Sequence, residues 1–458
     1  MRALPLPPTL PGGLVFGSGP EAVRDPLGLY TRAQRALGDV VRFRGAPGIH
    51  WFLVAPPAGV EQVLKTRQRN YRKPDRFNAP VAALVGNGLI VNEGDSWLRQ
   101  RRLMQPAFHR QRLGGLVAQM AAAADATAAR WEELAGRGAP VDVAAEMLRT
   151  TLRVVGTTMF SADLGRDADR VGTATRVALE EVSWRMTRPL SAPLWLPTAR
   201  NRRFRAGRAV IDAAVRETIR ERRRDGGDRG DLLSTLLAAQ DADTGERMSD
   251  EQVRDEVLTL MLAGHETTAS ALSWTWHLLG RNPAAAAWMR AELDAVLAGR
   301  TPGMDDLARL PRTRAVFKET LRLFPPAWGQ PREAVEEDEI GGFRIPAGAL
   351  LLVSQYVTQR RPDLWERPDD FVPARFADGA PAVPPFAYFP FGGGARQCIG
   401  SHFAVMEAQV ILATLAQRFA PEPVPGHTVE PDATFALRPR GALPMTLRAR
   451  SGGRVGAG

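Results

Sequence analysis

The stretch from residue 249 to 280 constrains the fold more than any other part of the chain. Ser249 is a favourable N-cap, and Gln252 three residues later completes a capping box. Gly280, followed by Asn282 and a proline, provides a stop signal. The pattern predicts one helix of roughly 45–50 Å. Such a helix crosses the whole molecule and is apolar nearly all round, yet its middle carries the polar run 265–268, and buried polar groups need a partner or a role.

The pattern elsewhere predicts a mainly α protein with a small β portion drawn from both ends of the chain. Short strands are expected at 39–43 and 50–54, a turn within 343–352 and a hairpin at 438–447, whereas 71–91 reads as a loop with short helical pieces. We therefore expect one interleaved domain over 1–458. Its β-rich lobe would come from about 30–60, 333–360 and 438–448, and its helical lobe from about 93–324 and 400–419.

The single cysteine, Cys398, lies in the segment Phe-Gly-Gly-Gly-Ala-Arg-Gln-Cys-Ile-Gly at 391–400. One cysteine excludes an intramolecular disulfide and a zinc site with several thiolates. The three glycines at 392–394 would let the backbone approach a flat, bulky group. The expected helix after Cys398, together with Arg396, favours a thiolate, which is a soft ligand for iron. The alternative is a glycine-rich turn with Cys398 as a small buried residue.

This segment resembles the haem-binding loop of the cytochrome P450 superfamily, in which Phe, Gly, Arg or His, Cys and Gly follow at fixed spacing. The resemblance extends over about residues 11–448. It implies the P450 fold, a triangular helical bundle with the long central helix over the haem. It also implies heme b as cofactor and Cys398 as the iron ligand, a thiolate that favours O–O cleavage. The loop residues implied to surround the haem are Phe391, Gly392 and Gly400.

Two further sets of residues match the same family. Glu319 and Arg322 resemble its buried Glu–Arg pair, with Arg375 as the third member, although the commoner family form has an acidic residue at the position of Ala374. Alone, that spacing is usually a solvated surface pair. The resemblance implies a structural role in holding the segment that cradles the haem.

Residues that would bind the haem propionates form the second set: Trp97, Arg101, Arg332 and Arg396. Trp97 and Arg101 share a helix face, and the planar guanidinium suits a carboxylate. The alternative, a basic amphipathic helix, would explain Arg99 and Arg102 equally well.

The central run Ala263, Gly264, His265, Glu266 and Thr267 matches the family pattern of small residue, Gly, any residue, acid, Thr. The resemblance implies that the first two leave space for dioxygen, that Thr267 hydrogen-bonds the oxygen or a nearby water, and that Glu266 delivers protons. The acid–alcohol pair favours reductive activation of dioxygen. His265 would point away from the haem as a hydrogen-bonded structural residue.

The implied function is a monooxygenase that uses two externally supplied electrons to hydroxylate or epoxidise a hydrophobic small molecule, such as a terpenoid, carotenoid, fatty acid or polyketide. A peroxide-driven peroxygenase or isomerase, and a non-catalytic haem-binding protein, stay open as alternatives. The expected substrate contacts lie on the family's variable segments and are mostly apolar: Val81, Leu84, Leu89, Trp184, Ala327, Trp328 and Ala442.

The chain contains no flavin or nicotinamide motif, so its electrons are expected from a ferredoxin or flavodoxin with its NAD(P)H reductase. Such donors are acidic, and the chain has a net charge of +10. The expected docking stretch comprises Arg99, Arg101, Arg102, Arg110 and Arg112. Basic residues are otherwise scattered, which argues against nucleic-acid binding. No apolar run is long enough for a bilayer and no signal peptide is evident, which predicts a cytoplasmic protein.

Overall fold

The computed structural model describes residues 4–161, 168–188, 191–240 and 245–450. Helices dominate this part of the chain: α1 Gly19–Arg24, α2 Pro26–Leu37, α3 Pro57–Glu61, α4 Asp75–Val85, α5 Gly94–Met104, α6 Arg110–Gly114, α7 Val117–Gly136, α8 Val143–Phe160, α9 Ala168–Thr187, α10 Ala199–Asp225, α11 Leu232–Ala238, α12 Asp250–Arg281, α13 Pro283–Leu297, α14 Met304–Leu307, α15 Pro311–Leu323, α16 Gln355–Thr358 and α17 Ser401–Arg418.

The strands are short and lie toward both ends of the chain: β1 Val40–Arg44, β2 His50–Val54, β3 Tyr71–Arg72, β4 Val141–Asp142, β5 Gln330–Ala334, β6 Asp338–Ile340, β7 Phe343–Ile345, β8 Leu350–Val353, β9 Phe419–Pro423, β10 Pro431–Ala433, β11 Leu437–Pro439 and β12 Pro444–Ala449. The largest sheet has the order β1-β2-β8-β5-β3, so it joins strands that are nearly 300 residues apart along the chain. The sheet β4-β12-β9 likewise pairs distant segments.

Helix α12 confirms the central helix predicted from the sequence. The Ser249 side chain accepts from the N–H of Gln252, and the Gln252 side chain accepts from the N–H of Ser249. The helix is 32 residues long and is buried along most of its length. It packs against α8, α10, α15 and α17, and Trp274 stacks on Phe324 with ring centroids 3.9 Å apart. It therefore carries the polar run through the centre of the main hydrophobic core.

Two local predictions were wrong. The hairpin expected at 438–447 does not form, because β11 pairs with β10 whereas β12 pairs with β4 and β9. Within the expected β-rich lobe, residues 30–37 belong to α2, and Leu29, Tyr30 and Ala33 pack that helix onto the first strands. The segment expected to be mostly loop contains the 11-residue helix α4, which accommodates Pro80 within its first two turns. These errors share a cause, since tertiary pairing overrides local turn and breaker signals.

Within the described part of the chain, no helix combines the length and the apolar character that a bilayer crossing requires.

Candidate active site

The cysteine loop is closed by backbone hydrogen bonds. The N–H of Cys398 donates to the Phe391 carbonyl over 2.9 Å, and the N–H of Gly392 donates to the Phe389 carbonyl over 2.9 Å. Arg101 Nη1 reaches the loop from α5 and donates to the Gln397 carbonyl over 2.9 Å. The Cys398 side chain is accessible although protein atoms surround it in depth, so it faces an internal space. Helix α17 starts three residues later.

The protonation of Cys398 depends on opposing effects. Burial raises the pKa of its thiol, while the N–H of Gly400 and the charge of Arg101 act in the opposite direction. Burial is the largest effect, so the loop alone does not hold a stable thiolate. A bound metal cation deprotonates a coordinating thiol outright. The donor set therefore fits a site that becomes a thiolate when iron binds.

The glycines of the loop have a role in packing against other protein segments. A Cβ at Gly394, where φ is +64°, would lie 2.0 Å from the Leu64 carbonyl oxygen, and one at Gly393 would lie 2.3 Å from the Phe386 ring. A Cβ at Gly392, where φ is +71°, would lie 3.0 Å from the Gln330 side chain. These glycines let the loop pack tightly onto other protein segments. The interpretation that they open the backbone to a flat ligand is not supported by these contacts.

Glu319 and Arg322 form a fully buried pair on α15. Arg322 donates from Nε and Nη2 to the two carboxylate oxygens over 2.8 and 2.9 Å, and both side chains are 0 % exposed. The remaining Arg322 donors reach the carbonyls of Gln359, Pro368 and Asp370. Arg375 Nε lies 3.4 Å from Glu319 Oε1, without hydrogen-bond geometry. The structure thus brings the three predicted residues together, with Arg375 as the looser member.

This triad is connected to the cysteine loop through Gln359. The Gln359 side-chain amide donates to the carbonyls of Leu321 and Arg322 and accepts from the N–H of Phe389 over 2.9 Å. Phe389 in turn holds Gly392 at the start of the loop. Gln359, which the sequence analysis did not single out, is fully buried and joins α15 to the loop. Loss of the buried Glu319–Arg322 pair would therefore disturb the position of the cysteine loop, because Gln359 and Phe389 link the two by hydrogen bonds.

Basic side chains gather beside the loop. The Arg396 guanidinium lies 3.8 Å from the centroid of the Trp97 indole and donates to the Asn92 carbonyl and the Glu93 carboxylate. Lys73, which the sequence analysis also missed, donates to the carbonyls of Ile90 and Asn92 and lies 3.6 Å from Glu93. The signal that could have found it is rarity, because the chain has only three lysines among 60 basic residues.

Arg332 completes this cluster without a carboxylate of its own. It is 8 % exposed, and its hydrogen bonds to other described residues go to the neutral acceptors Pro331 O and Gln330 Oε1. Burial, with the nearby Arg396 charge, lowers the pKa of Arg332 to about 10, and the same effects lower the pKa of Lys73 to about 7.

When Lys73 is protonated, Lys73, Arg332 and Arg396 carry three positive charges against the one negative charge of Glu93, a surplus of two. A pKa of about 7 leaves Lys73 only partly protonated at neutral pH, and an anion bound beside it would raise that pKa and complete the charge. Buried cations need a counter-anion. The cluster therefore fits a group with two carboxylates.

On α12, the polar run splits between two environments. Thr267 Oγ1 donates to the Ala263 carbonyl over 2.6 Å, and both residues are only partly buried in a helix that is otherwise covered. Glu266 is 4 % exposed, and burial raises the pKa of its carboxyl group. Its Oε1 lies 3.6 Å from Arg438 Nη1, and Arg438 Nε lies 3.3 Å from Asp432 on β10. Its Oε2 has no hydrogen-bond partner among the described residues.

Two expectations for this run need correction. A Cβ at Gly264 would meet Val155 Cγ2 at 3.3 Å and Met159 Cε at 3.6 Å, so Gly264 faces α8 and permits close helix packing. His265 is 6 % exposed, and its Nδ1 has no hydrogen-bond partner among the described residues, so it is not the satisfied side chain that was expected. Burial lowers its pKa to about 4, which makes it a neutral imidazole at ordinary pH.

The candidate substrate residues are dispersed. Val81, Leu84 and Leu89 are buried in the main core. Trp184 is engaged by two arginines, since the guanidinium groups of Arg188 and Arg200 lie 5.1 and 4.3 Å from its ring centroid. Trp328 packs with Tyr30 in the separate core under β1 and β2, so its proposed substrate contact conflicts with its position. Ala327 and Ala442 are exposed.

The expected docking stretch is less available than its charge suggests. Arg99 pairs with Glu246, Arg101 is engaged at the cysteine loop and Arg112 donates to Thr235 Oγ1 over 2.6 Å. The side chain of Arg110 lies outside the described residues. Arg102 is exposed and also has an interaction of its own.

Comparisons with known proteins agree with this geometry. The family model for cytochrome P450 matches residues 7–443. Cyclooctatin synthase from Streptomyces melanosporofaciens is 41 % identical over 431 residues, which are 93 % of this chain and 92 % of that protein. Cyclooctat-9-en-7-ol 5-monooxygenase from the same organism is 38 % identical over 445 residues, 96 % of this chain and 95 % of that protein.

A solved structure is similar to this chain over nearly its whole length. The crystal structure of the cytochrome P450DA heme domain superposes with a TM-score of 0.88 at 29 % identity, covering 98 % of this chain and 99 % of that one. The fold is therefore the P450 fold predicted from the cysteine loop. Together with the family model and the monooxygenase relative, this structural similarity shows that the chain is a haem-iron monooxygenase of the cytochrome P450 family.

Proposed function

We propose that this monooxygenase uses heme b with Cys398 as the iron ligand, and that it hydroxylates or epoxidises a terpenoid. The observation that carries the cofactor proposal is the surplus of two positive charges among Lys73, Arg332, Arg396 and Glu93, because heme b has two propionates. When bound, the haem supplies the redox chemistry that activates dioxygen. The protein supplies the thiolate, the anchoring cations and the protons.

The anchoring residues would act together. Trp97 holds the Arg396 guanidinium from one side, and Glu93 holds it from another. A propionate near Arg332 would give that buried guanidinium the counter-charge that neutral acceptors do not provide. Arg101 has a different role in this proposal, since its contact with Gln397 supports the cysteine loop directly.

Proton delivery is assigned to Thr267, Glu266 and Arg438. The partly buried Thr267 hydroxyl can turn from the Ala263 carbonyl toward a hydrogen-bonding partner on its open side. Glu266 is held in the core with one free oxygen, and Arg438 with Asp432 connects its other oxygen toward the surface. A buried carboxyl group with a raised pKa retains a proton that it can give up and regain.

The substrate proposal rests on the relatives and on the apolar surroundings. One relative is named for its action on cyclooctat-9-en-7-ol, and Val81, Leu84 and Leu89 lie in the same core as α12. A polycyclic terpenoid alcohol is therefore the first substrate class to test, followed by carotenoids. Electrons would come from a ferredoxin or flavodoxin and its NAD(P)H reductase in the cytoplasm. Because such donors are acidic and this chain has a net positive charge, electrostatic attraction would speed the association of donor and enzyme.

The test is turnover with a surrogate ferredoxin, its reductase and a panel of terpenoid alcohols, with ¹⁸O₂ as the oxygen source. Incorporation of one labelled oxygen per product, with a reduction rate that falls at high salt, supports the proposal. In Thr267→Ala, NAD(P)H consumption should continue while product falls and peroxide rises, whereas Thr267→Ser should retain coupling. Turnover that requires added peroxide, or normal reduction without any product from the whole panel, would favour the alternatives.

A further inference from the structure

A rigid apolar tip protrudes from the N-terminal segment. Leu14, Val15 and Phe16 are consecutive and are 95 %, 58 % and 58 % exposed. Two backbone hydrogen bonds between Gly13 and Gly17 close the turn beneath them, over 3.1 and 3.0 Å. Large apolar side chains at such exposure are common singly, but three in succession on a closed turn form a patch that calls for a partner.

The turn is fixed to the protein on both sides. Before it, the N–H of Leu10 donates to the Arg42 carbonyl over 3.0 Å, and after it, the N–H of Ser18 donates to the Arg44 carbonyl over 2.8 Å. The Arg44 side chain donates to the Gly13 carbonyl over 2.9 Å. Gly17 has φ +53°, and a Cβ there would lie 2.0 Å from the Arg44 carbonyl oxygen, so the approach is possible only for glycine. The tip is thus presented by the edge of β1.

Two more apolar side chains extend the patch. Val23 on α1 is 56 % exposed, and Ile49 in the turn after β1 is 39 % exposed. The Ile49 turn adjoins Arg44 through the hydrogen bond from Gly45 to Ile49, so it lies at the same end of β1 as the tip. We define the apolar tip as Leu14, Val15, Phe16, Val23 and Ile49.

The charges around the apolar tip are mainly positive. Arg24, Arg42 and Arg44 form no ion pair with another described residue, whereas the nearby acids Glu21 and Asp25 are both engaged by Arg32. Four arginines against two acids leave a surplus of two positive charges. An apolar, aromatic-containing surface bordered by unpaired arginines is the composition that binds the interface of an anionic bilayer. A protein partner would need a complementary apolar pocket, and no feature of this surface favours such a partner in the way that the surrounding positive charge favours an anionic bilayer.

We propose that the apolar tip docks this enzyme on the surface of an anionic lipid bilayer, with Leu14, Val15 and Phe16 inserted among the headgroups and the arginines contacting phosphate. Docking of this kind needs no spanning helix. It would keep the enzyme where apolar compounds concentrate, but it does not depend on which substrate is oxidised. Failure of the terpenoid assignment would leave it intact, because binding to vesicles is measured without turnover.

The test is flotation of the haem-loaded protein with vesicles of phosphatidylcholine alone or mixed with phosphatidylglycerol. The protein should partition onto the anionic vesicles, more weakly onto the neutral ones, and less at high salt. The combined variant Leu14→Ser, Val15→Ser and Phe16→Ser should lower the partition coefficient at least about tenfold. Arg24→Glu should weaken binding to anionic vesicles alone.

A matched control comes from a second exposed leucine. Leu98 is 46 % exposed on α5, outside the strands and turns that carry the tip, so Leu14→Ser should reduce binding several-fold whereas Leu98→Ser should leave it unchanged. Equal partitioning of the wild type and the triple variant would overturn the proposal. The proposal would also be overturned if the wild type did not bind vesicles but formed a dimer in light scattering, while the triple variant stayed monomeric. Absorption spectra of the bound haem check that every variant is folded.

Discussion

Single side chains beside the cysteine loop carry charges that the protein alone does not balance. Arg332 is the clearest case, because it is nearly fully buried and its hydrogen-bond acceptors among the described residues are neutral. Glu319 and Arg322 illustrate the opposite case, a buried pair in which every donor of the guanidinium has an acceptor. Arg332 needs a bound anion to balance its charge, whereas the Glu319–Arg322 pair is balanced within the protein. These two situations lead to different mutational outcomes.

Removal of Glu319 should abolish the structural support of the loop. In Glu319→Ala the Arg322 charge stays buried without a carboxylate, which costs about 3–5 kcal/mol. We expect little haem-loaded protein from this variant, measured as the ratio of haem to protein absorbance. Arg375→Ala should lose less, because its contact with Glu319 lacks hydrogen-bond geometry and its side chain is 15 % exposed. Glu366→Ala, at an exposed glutamate, is the control and should load haem normally. Normal haem content in Glu319→Ala would refute the structural role of Glu319.

Lys73 should contribute to holding the cofactor. A charge-assisted hydrogen bond is worth about 1.5–3 kcal/mol, so Lys73→Ala should release haem to an acceptor apoprotein roughly tenfold faster or more. Lys65→Ala is the matched control, since Lys65 is exposed and pairs with Glu61 on its own helical segment. Equal rates of haem transfer in the two variants would exclude Lys73 from the site.

At the scale of elements, the cysteine loop depends on how closely it packs on its neighbours. Gly394→Ala would introduce both a left-handed alanine and a Cβ that collides with the Leu64 carbonyl. Gly379 also has a positive φ, +82°, but no atom lies close to its Cβ position. Gly379→Ala therefore measures the cost of the left-handed backbone alone, about 1–2 kcal/mol. We expect a clearly lower melting temperature and poor haem loading only for Gly394→Ala. Similar losses in both variants would contradict the packing interpretation.

Helix α17 buries a second carboxyl group, Glu407, which is 0 % exposed. The Thr268 side chain approaches it and opposes the effect of burial on its pKa, although neither carboxylate oxygen has a partner with full hydrogen-bond geometry among the described residues. Burial raises its pKa well above the ordinary value. A raised carboxyl pKa gives stability that is complete below the unfolded pKa and is lost as pH rises through the folded pKa. Between the ordinary carboxyl pKa of 4.5 and the raised pKa of the folded state, the wild type should therefore lose up to ~1.4 kcal/mol per pH unit from this group.

The variant Glu407→Gln should remove that part of the pH dependence. Thermal unfolding at several pH values from 5 upward measures it, and the curves of variant and wild type should diverge as pH rises toward the folded pKa of Glu407. Glu336→Gln, at an exposed glutamate, should follow the wild type throughout. Parallel curves for Glu407→Gln and wild type would mean that Glu407 does not titrate as its burial requires.

Some elements were predictable because their signals are local. The capping box of Ser249 and Gln252 defines where α12 begins within its own sequence, and the break before Pro283 defines its end. The positions of Gly394, Gly264 and Trp328 depend instead on contacts with Leu64, Val155 and Tyr30, which are distant in the sequence. No local pattern reports on such contacts. Arg438 and Gln359 were missed for the same reason.

At the scale of the whole molecule, the fold brings distant parts of the sequence to one place. Cys398 comes from the C-terminal third of the chain, Lys73 and Trp97 from the first hundred residues, and Thr267 from the central helix. The sequence motifs identified the family because they lie within short segments. The charge balance at the site, with its surplus of two, became visible only when these segments were assembled.

The most direct test of this account is the absorption spectrum of the dithionite-reduced protein under carbon monoxide, recorded for the wild type and for Cys398→His. The account predicts a strongly red-shifted Soret band in the wild type, as a thiolate ligand produces, and an unshifted band in the variant if it retains haem. A wild type that binds haem but shows only the unshifted band would contradict the assignment of Cys398, and with it the proposed chemistry of the site.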